Sequence, residues 1–187
     1  MPWQTTWSKR LLNNPLVKEE FELFSQWSFE ATMDQNLESW LAGRYGNLNK
    51  MRDVRTTLSG RLRTVDSLRS LIILAQTGQP FVDWRDCYRL WVGATEEPFR
   101  SFALDWLFEQ RGQGRYLIRV SDVRPFVAEL WRIRRASSPL NDYGLTRTAR
   151  DLIRTATSLG MLDGGGPARY FAASVLSPYV YSITIFH

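Results

Sequence analysis

Arg147, Arg150 and Arg154 recur at intervals of three and four in TRTARDLIRTATSLGMLDGGGPARYF, residues 146–171. At about 100° per residue a helix gathers these three side chains into a sector roughly 60° wide, with Ala149, Leu152, Ile153, Ala156 and Leu159 on the opposite side. A planar guanidinium can bridge phosphates or pair with a guanine edge, while threonine hydroxyls and backbone amides position a nucleic-acid backbone. Thr146 and Thr148 flank the arginines, as do Asp151, Thr155 and Ser158, and Arg169 follows near the glycine turn. A second basic face, Arg52 and Arg55 with Ser59, lies opposite the apolar stripe of an earlier helix. Such sets recognise anions and break no bonds. The same patterns also describe ordinary amphipathic helices with solvated arginines.

Groups for bond-making chemistry are scarce. The one histidine, His187, is the last residue of the sequence, and the one cysteine is Cys87, so Ser-His-Asp and Cys-His arrangements lack a well-placed base. The same counts exclude an internal disulfide and a zinc site built from several cysteines and histidines. Asp83/Asp86 and Glu96/Glu97 are candidate carboxylate pairs for a magnesium-dependent or acid–base enzyme, and they read more simply as helix caps and solvated faces. No phosphate-binding glycine loop is present, because Gly164, Gly165 and Gly166 follow a helix where such a loop precedes one. The expectation is a non-enzymatic protein with no catalytic residue, no metal and no cofactor. The start MPWQTTWSKR has no apolar signal core, and the longest apolar run, Leu71 to Ala75, is too short to span a bilayer. The reading is therefore cytoplasmic, with no membrane partner.

Charge is uneven along the chain. Of the formal +5, residues 1–110 carry a net −1, whereas residues 111–154 hold ten arginines against Asp122, Glu129, Asp142 and Asp151, a net of +6. A basic excess confined to one stretch favours a polyanionic partner there.

The elements that must position these residues are mostly helical. Residues 1–14 lack periodicity and read as an arm that docks through Trp3 and Trp7. A helix is expected from Pro15, capped by Asn14, and another from Asp34 to Leu41, closed by Gly43. Met51, Val54, Leu58, Leu62 and Val65 keep helical spacing, continued by Leu68 to Ala75, with Gly60 as a bend. FVDWRDCYRLWVGA is a further helix capped by Asp83. PFRSFALDWLFEQ is amphipathic and ends at the glycines of RGQG. RYLIRV alternates Tyr116, Ile118 and Val120 against Arg115, Leu117 and Arg119, as a half-exposed strand does. SDVRPFVAELWRIRR returns to helix, with Ser121 or Asp122 as cap and Pro125 in its first turn. About ten residues, ASSPLNDYGL, lead to the arginine helix, which Thr146 caps and Gly160 ends, and two short strands follow around the glycines. The fold class expected is mainly α: an arm (1–14), a helical bundle domain (15–95), and a winged helix-turn-helix-like domain with a small β-wing (96–187).

FRSFALDWLFEQRGQGRYLIRVSDVRPFV, LTRTARDLIRTATSLGMLDGG and YFAASVLSPYVYSI, within residues 60–187, resemble the BrxA-like proteins of bacterial phage-exclusion (BREX) islands, which are likened in fold to the NusB antitermination factor. Tyr143 stands where that family carries a tryptophan. The resemblance implies a helical N-terminal region, a winged-helix-like C-terminal region, double-stranded DNA binding, and antiphage defence alongside other phage-defence proteins. Two alternatives remain at this point: an RNA-binding factor of the antitermination type, and a scaffold whose aromatic arm and arginines contact other subunits.

Overall fold

The structure, a computed structural model, describes residues 6–7, 14–62, 65–134 and 139–173. The chain is mainly helical with a small antiparallel sheet. It divides into two compact units, one of Leu16–Tyr88 and one formed by the described residues of 1–15 and 89–176. The boundary falls between Tyr88 and Arg89, inside a helix, where the sequence reading placed it after residue 95.

The first unit contains α1 (Val17–Ser25), α2 (Met33–Leu41), α3 (Leu48–Arg61), α4 (Val65–Gln76) and the first half of α5 (Phe81–Thr95). Asn14 is not the cap of α1. The helix starts later, after Leu16, which makes no side-chain cap bond, and Glu19 and Glu20 place negative charge in its first turn, near the positive end of the helix dipole. α2 carries a reciprocal cap in which Thr32 Oγ1 accepts from Gln35 N–H and Gln35 Oε1 accepts from Thr32 N–H. The periodic run that read as one helix with a bend at Gly60 is two helices. Gly60 stays helical in α3, which ends at Arg61 with Leu62 as its C-cap. Asp83 does not cap α5 but sits in its first turn, its N–H donating to Pro80 O at 3.0 Å.

Aromatic side chains fill this core. Trp84 stacks on Tyr88 with ring centroids 4.9 Å apart, meets Phe21 and Phe24, and donates its indole N–H to Leu71 O at 2.9 Å. A buried polar cluster lies among them. Glu20 accepts from Arg61 at 2.9 Å through one oxygen and from the Tyr88 hydroxyl at 2.6 Å through the other. Satisfying both oxygens offsets the cost of burying the charge.

The second unit begins with β1 (Thr6–Trp7), paired parallel to β2 (Glu96–Glu97) with Thr6 opposite Glu96. The Trp7 ring meets Trp131 edge-on at 4.9 Å, so this tryptophan docks on its own chain. Trp3 lies outside the described residues. The expected amphipathic helix after residue 98 is present but is a π-helix over Ser101–Leu107, continuing as α6 (Phe108–Gly112). Of Phe99, Phe102, Ala103, Trp106 and Leu107, which their spacing places on one side of this helix, four are buried and Trp106 is half-buried. β3 (Leu117–Arg119) is shorter than RYLIRV: Tyr116 is exposed and Val120 already belongs to α7 (Val120–Arg134). Asp122 in the first turn of α7 accepts from Arg119 N–H at 2.8 Å, and Pro125 lies beyond that turn. α8 (Asp142–Ser158) follows after seven residues and packs on α7. β4 (Leu162–Asp163) and β5 (Ala168–Phe171) complete a sheet of order β3-β5-β4, antiparallel throughout, with Ile118 opposite Arg169 and Leu162 opposite Phe171.

Candidate nucleic-acid interface

α8 begins four residues earlier than Thr146. Asn141 is the cap, its Oδ1 accepting from Gly144 N–H at 2.8 Å. A Cβ on Gly144 would lie 3.2 Å from that oxygen, so the glycine leaves room for the cap. Thr146 instead donates its hydroxyl to Asp142 O at 2.9 Å inside the first turns. The far end closes as expected at Gly160, with φ 71°. Gly160 N–H bonds Thr157 O and Met161 N–H bonds Ala156 O, the paired bonds of a Schellman turn.

Ala149, Leu152, Ile153, Ala156 and Leu159 are buried, and Arg147, Arg150 and Arg154 are exposed, as the wheel requires. The flank differs. Thr148, Asp151 and Thr155 were expected beside the arginines at the surface, yet Thr148 and Asp151 are only 7% exposed and Thr155 is fully covered. The covered face of α8 is therefore wider than its apolar stripe, and Thr148 presents no hydroxyl to a ligand on the arginine side.

Asp151 organises the two arginines around it. Arg154 donates to its Oδ1 at 2.9 Å, and Arg147 Nε lies 3.8 Å from Oδ2. These pairs hold the guanidinium groups along the helix and reduce three positive charges on the face to a net of two. Arg150 makes no ion pair with any described residue. At the head of the helix Arg124 meets Asp142 at 2.9 Å. On α7 Arg132 donates twice to Glu129, at 2.8 and 2.6 Å, which holds the Glu129 carboxyl below its ordinary range.

Arg169 does not project from the β4–β5 hairpin. It shares a face of the sheet with buried Ile118 and donates to Gly166 O at 2.6 Å and Ala168 O at 3.1 Å, so it ties the turn. The outer side of the hairpin carries Tyr170, whose ring meets that of Tyr116 at 6.3 Å. A Cβ on Gly164 would come within 2.6 Å of the Tyr170 ring, and φ there is 99°, two reasons for glycine at that place. The exposed tyrosine pair was missed in the sequence, where Tyr116 was assigned to the buried side of a longer strand.

Arg52 and Arg55 belong to the other unit, on the exposed side of α3. Arg55 is held by Glu38 at 3.1 Å and Asp34 at 3.6 Å, both on α2. Asp83 and Asp86 are likewise in α5, with Asp86 buried, and Glu97 is buried and accepts from Ser101 N–H and Oγ. Among the described residues no cluster of metal-binding side chains occurs, and no helix is long and apolar enough to cross a membrane. No family model, curated protein or solved structure matches the chain.

Proposed function

We propose that the chain is a non-enzymatic, duplex-DNA-binding accessory protein whose α8 enters the major groove and whose β4–β5 hairpin serves as the wing. The observation that carries this reading is the division of α8 itself: one face is buried, and the opposite face offers Arg147, Arg150 and Arg154 to solvent. The order helix, β3, α7, α8, β4, β5 with β3 paired to β5 supports a winged helix-turn-helix, although the seven residues between α7 and α8 exceed the usual three or four. A 17-residue helix is about 25 Å long, enough to cross the groove with all three arginines at or near phosphates. The phage-defence setting rests on the resemblance of the quoted motifs to BrxA-like proteins and makes other defence proteins the natural partners.

A mobility-shift assay with duplex DNA, single strands and RNA at matched salt tests the reading. Duplex DNA is expected to bind best, with little sequence selectivity and with affinity falling steeply as salt rises, since counterion release supplies the free energy. The triple variant Arg147→Ala, Arg150→Ala, Arg154→Ala removes both cations from the buried Asp151 carboxylate, so it is expected to stay folded with Tm lowered by several degrees and to lose this binding. Equal binding by that variant removes α8 from the interface, and preference for RNA favours an antitermination-type factor.

A further inference from the structure

The three-stranded sheet has one covered face and one open face. Side chains alternate along a strand and cross-strand partners share a face, so Ile118 with Arg169 and Leu162 with Phe171 lie on the side where Ile118 and Leu162 are buried. Leu117 with Tyr170, Arg119 with Ala168, and Asp163 with Tyr170 lie on the other. Tyr170 therefore stands on the central strand of the open face, 44% exposed, and Tyr116, just before β3, is 76% exposed with its ring beside that of Tyr170. Charge is divided across the sheet. Arg115 and Arg119 lie on the β3 side, Arg115 held by Asp122 at 3.1 Å and Arg119 exposed, in no ion pair with any described residue. Asp163 lies at the β4 edge, one carboxylate oxygen accepting from Gly164 N–H at 2.6 Å.

The open face offers ring and guanidinium, because its aliphatic members, Leu117 and Ala168, are half-buried. The apolar core of a protein partner would find few aliphatic counterparts there. A closed duplex presents phosphates and base edges and keeps the faces of its bases inside the stack. An unpaired base does present a face, and stacking on exposed sheet aromatics holds single strands irrespective of sequence. The ring geometry fits such a strand. Planes inclined at 42° keep the two tyrosines from stacking face to face on each other, and their centroids are 6.3 Å apart, nearly twice the roughly 3.4 Å step between bases stacked in one strand of a duplex. Successive bases therefore meet both rings only when the strand is extended. We infer that this face binds unpaired bases of single-stranded DNA, two bases on Tyr116 and Tyr170 and the phosphates along the β3 side at Arg119. The choice of DNA rests on the reading of α8, from whose end only three residues lead into β4, and it makes the strand one that has left the duplex held by α8.

The test titrates the full chain, labelled with ¹⁵N, with oligothymidylate of about eight nucleotides, with oligouridylate of the same length and with a blunt duplex. Oligothymidylate is expected to shift the amides of Tyr116, Leu117, Arg119 and Tyr170 saturably, oligouridylate to bind no better, and the blunt duplex to shift α8 amides while leaving Leu117 and Arg119 in place. Tyr116 and Arg119 are exposed, so their variants retain the fold. Tyr116→Ala and Tyr116→Leu are expected to weaken the single strand about tenfold and Tyr116→Phe to keep it, since the ring makes the contact rather than apolar bulk or the hydroxyl. Arg119→Gln is expected to weaken the strand and flatten its salt dependence. No saturable shift at these amides, equal affinity for Tyr116→Leu and wild type, or equal shifts of Leu117 and Arg119 by the blunt duplex overturns the proposal, and tighter binding of oligouridylate overturns the assignment to DNA. A duplex that shifts no α8 amide refutes the reading of α8, a result separate from that of the strand at the sheet.

Discussion

Replacing Asp151 by asparagine separates what α8 does for the fold from what it does for a ligand. The carboxylate is 10% exposed and meets Arg154 at 2.9 Å and Arg147 at 3.8 Å; asparagine keeps its shape and removes its charge. Exposed pairs are worth about 0.2–1 kcal/mol, whereas orphaning one partner of a fully buried pair costs about 3–5 kcal/mol. The arginines are half exposed, 58% for Arg147 and 48% for Arg154, so solvent screens them and the expected cost is about 1–2 kcal/mol. For a chain of this length that lowers Tm by roughly 2–8 °C. DNA binding is expected to move the other way. The substitution releases two guanidinium groups from a competing anion and raises the net charge of the face by one. One additional phosphate contact steepens the dependence of log K on log salt by about one, and low-salt affinity rises. Thermal melts and duplex titrations at several salt concentrations on the same preparations decide it. A less stable variant that binds more tightly is the expected signature. If affinity falls in step with stability, or the slope is unchanged, Arg147 and Arg154 do not face phosphates.

Arg61→Ala leaves the buried Glu20 carboxylate without its cation and is expected to cost about 3–5 kcal/mol, more than Tyr88→Phe at about 1.5–3 kcal/mol; urea unfolding of both, with the order reversed, would contradict the role given to the pair. Burial, with Glu19 beside it, raises the Tyr45 phenol above its ordinary value of about 10. The folded state therefore holds this proton longer than the unfolded chain, and the group's contribution to stability is intact below about pH 10 and lost as pH rises through the folded value. Tyrosinate absorbance compared with Tyr45→Phe isolates the transition, and ionisation at or below the ordinary value refutes the burial argument.

Periodicity located the arginine face of α8 and the stripe beneath it, because both are properties of one helix. It missed the burial of Thr148, Asp151 and Thr155, which sit between the two faces and are covered by packing that no local pattern encodes. Glycine chemistry located the helix ends at Gly43 and Gly160 and the hairpin at Gly164–Gly166. Starts were harder. Thr146 and Asn141 are both good caps, and the choice between them depends on Gly144 admitting the Asn141 side chain. The π-helix left no trace, since Phe99, Phe102, Ala103 and Leu107 suit a 3.6-residue period equally well. Arg61 drew no assignment from the sequence because its partners, Glu20 and Tyr88, are distant along the chain and meet it only on folding.

The parallel pairing of Thr6–Trp7 with Glu96–Glu97 also orders events in time. The partners are 90 residues apart in sequence, and Trp131, against which Trp7 rests, comes later still. At about 5–20 residues per second the ribosome delivers Glu96 roughly 5–20 s after Thr6. Small domains fold in microseconds to seconds, so the helices within Leu16–Tyr88 have time to form while the strand that precedes them has no partner. Until the second unit emerges, Trp7 thus has neither Glu97 to pair with nor Trp131 to rest against, and its strand is the last described element of the N-terminal half to find its place.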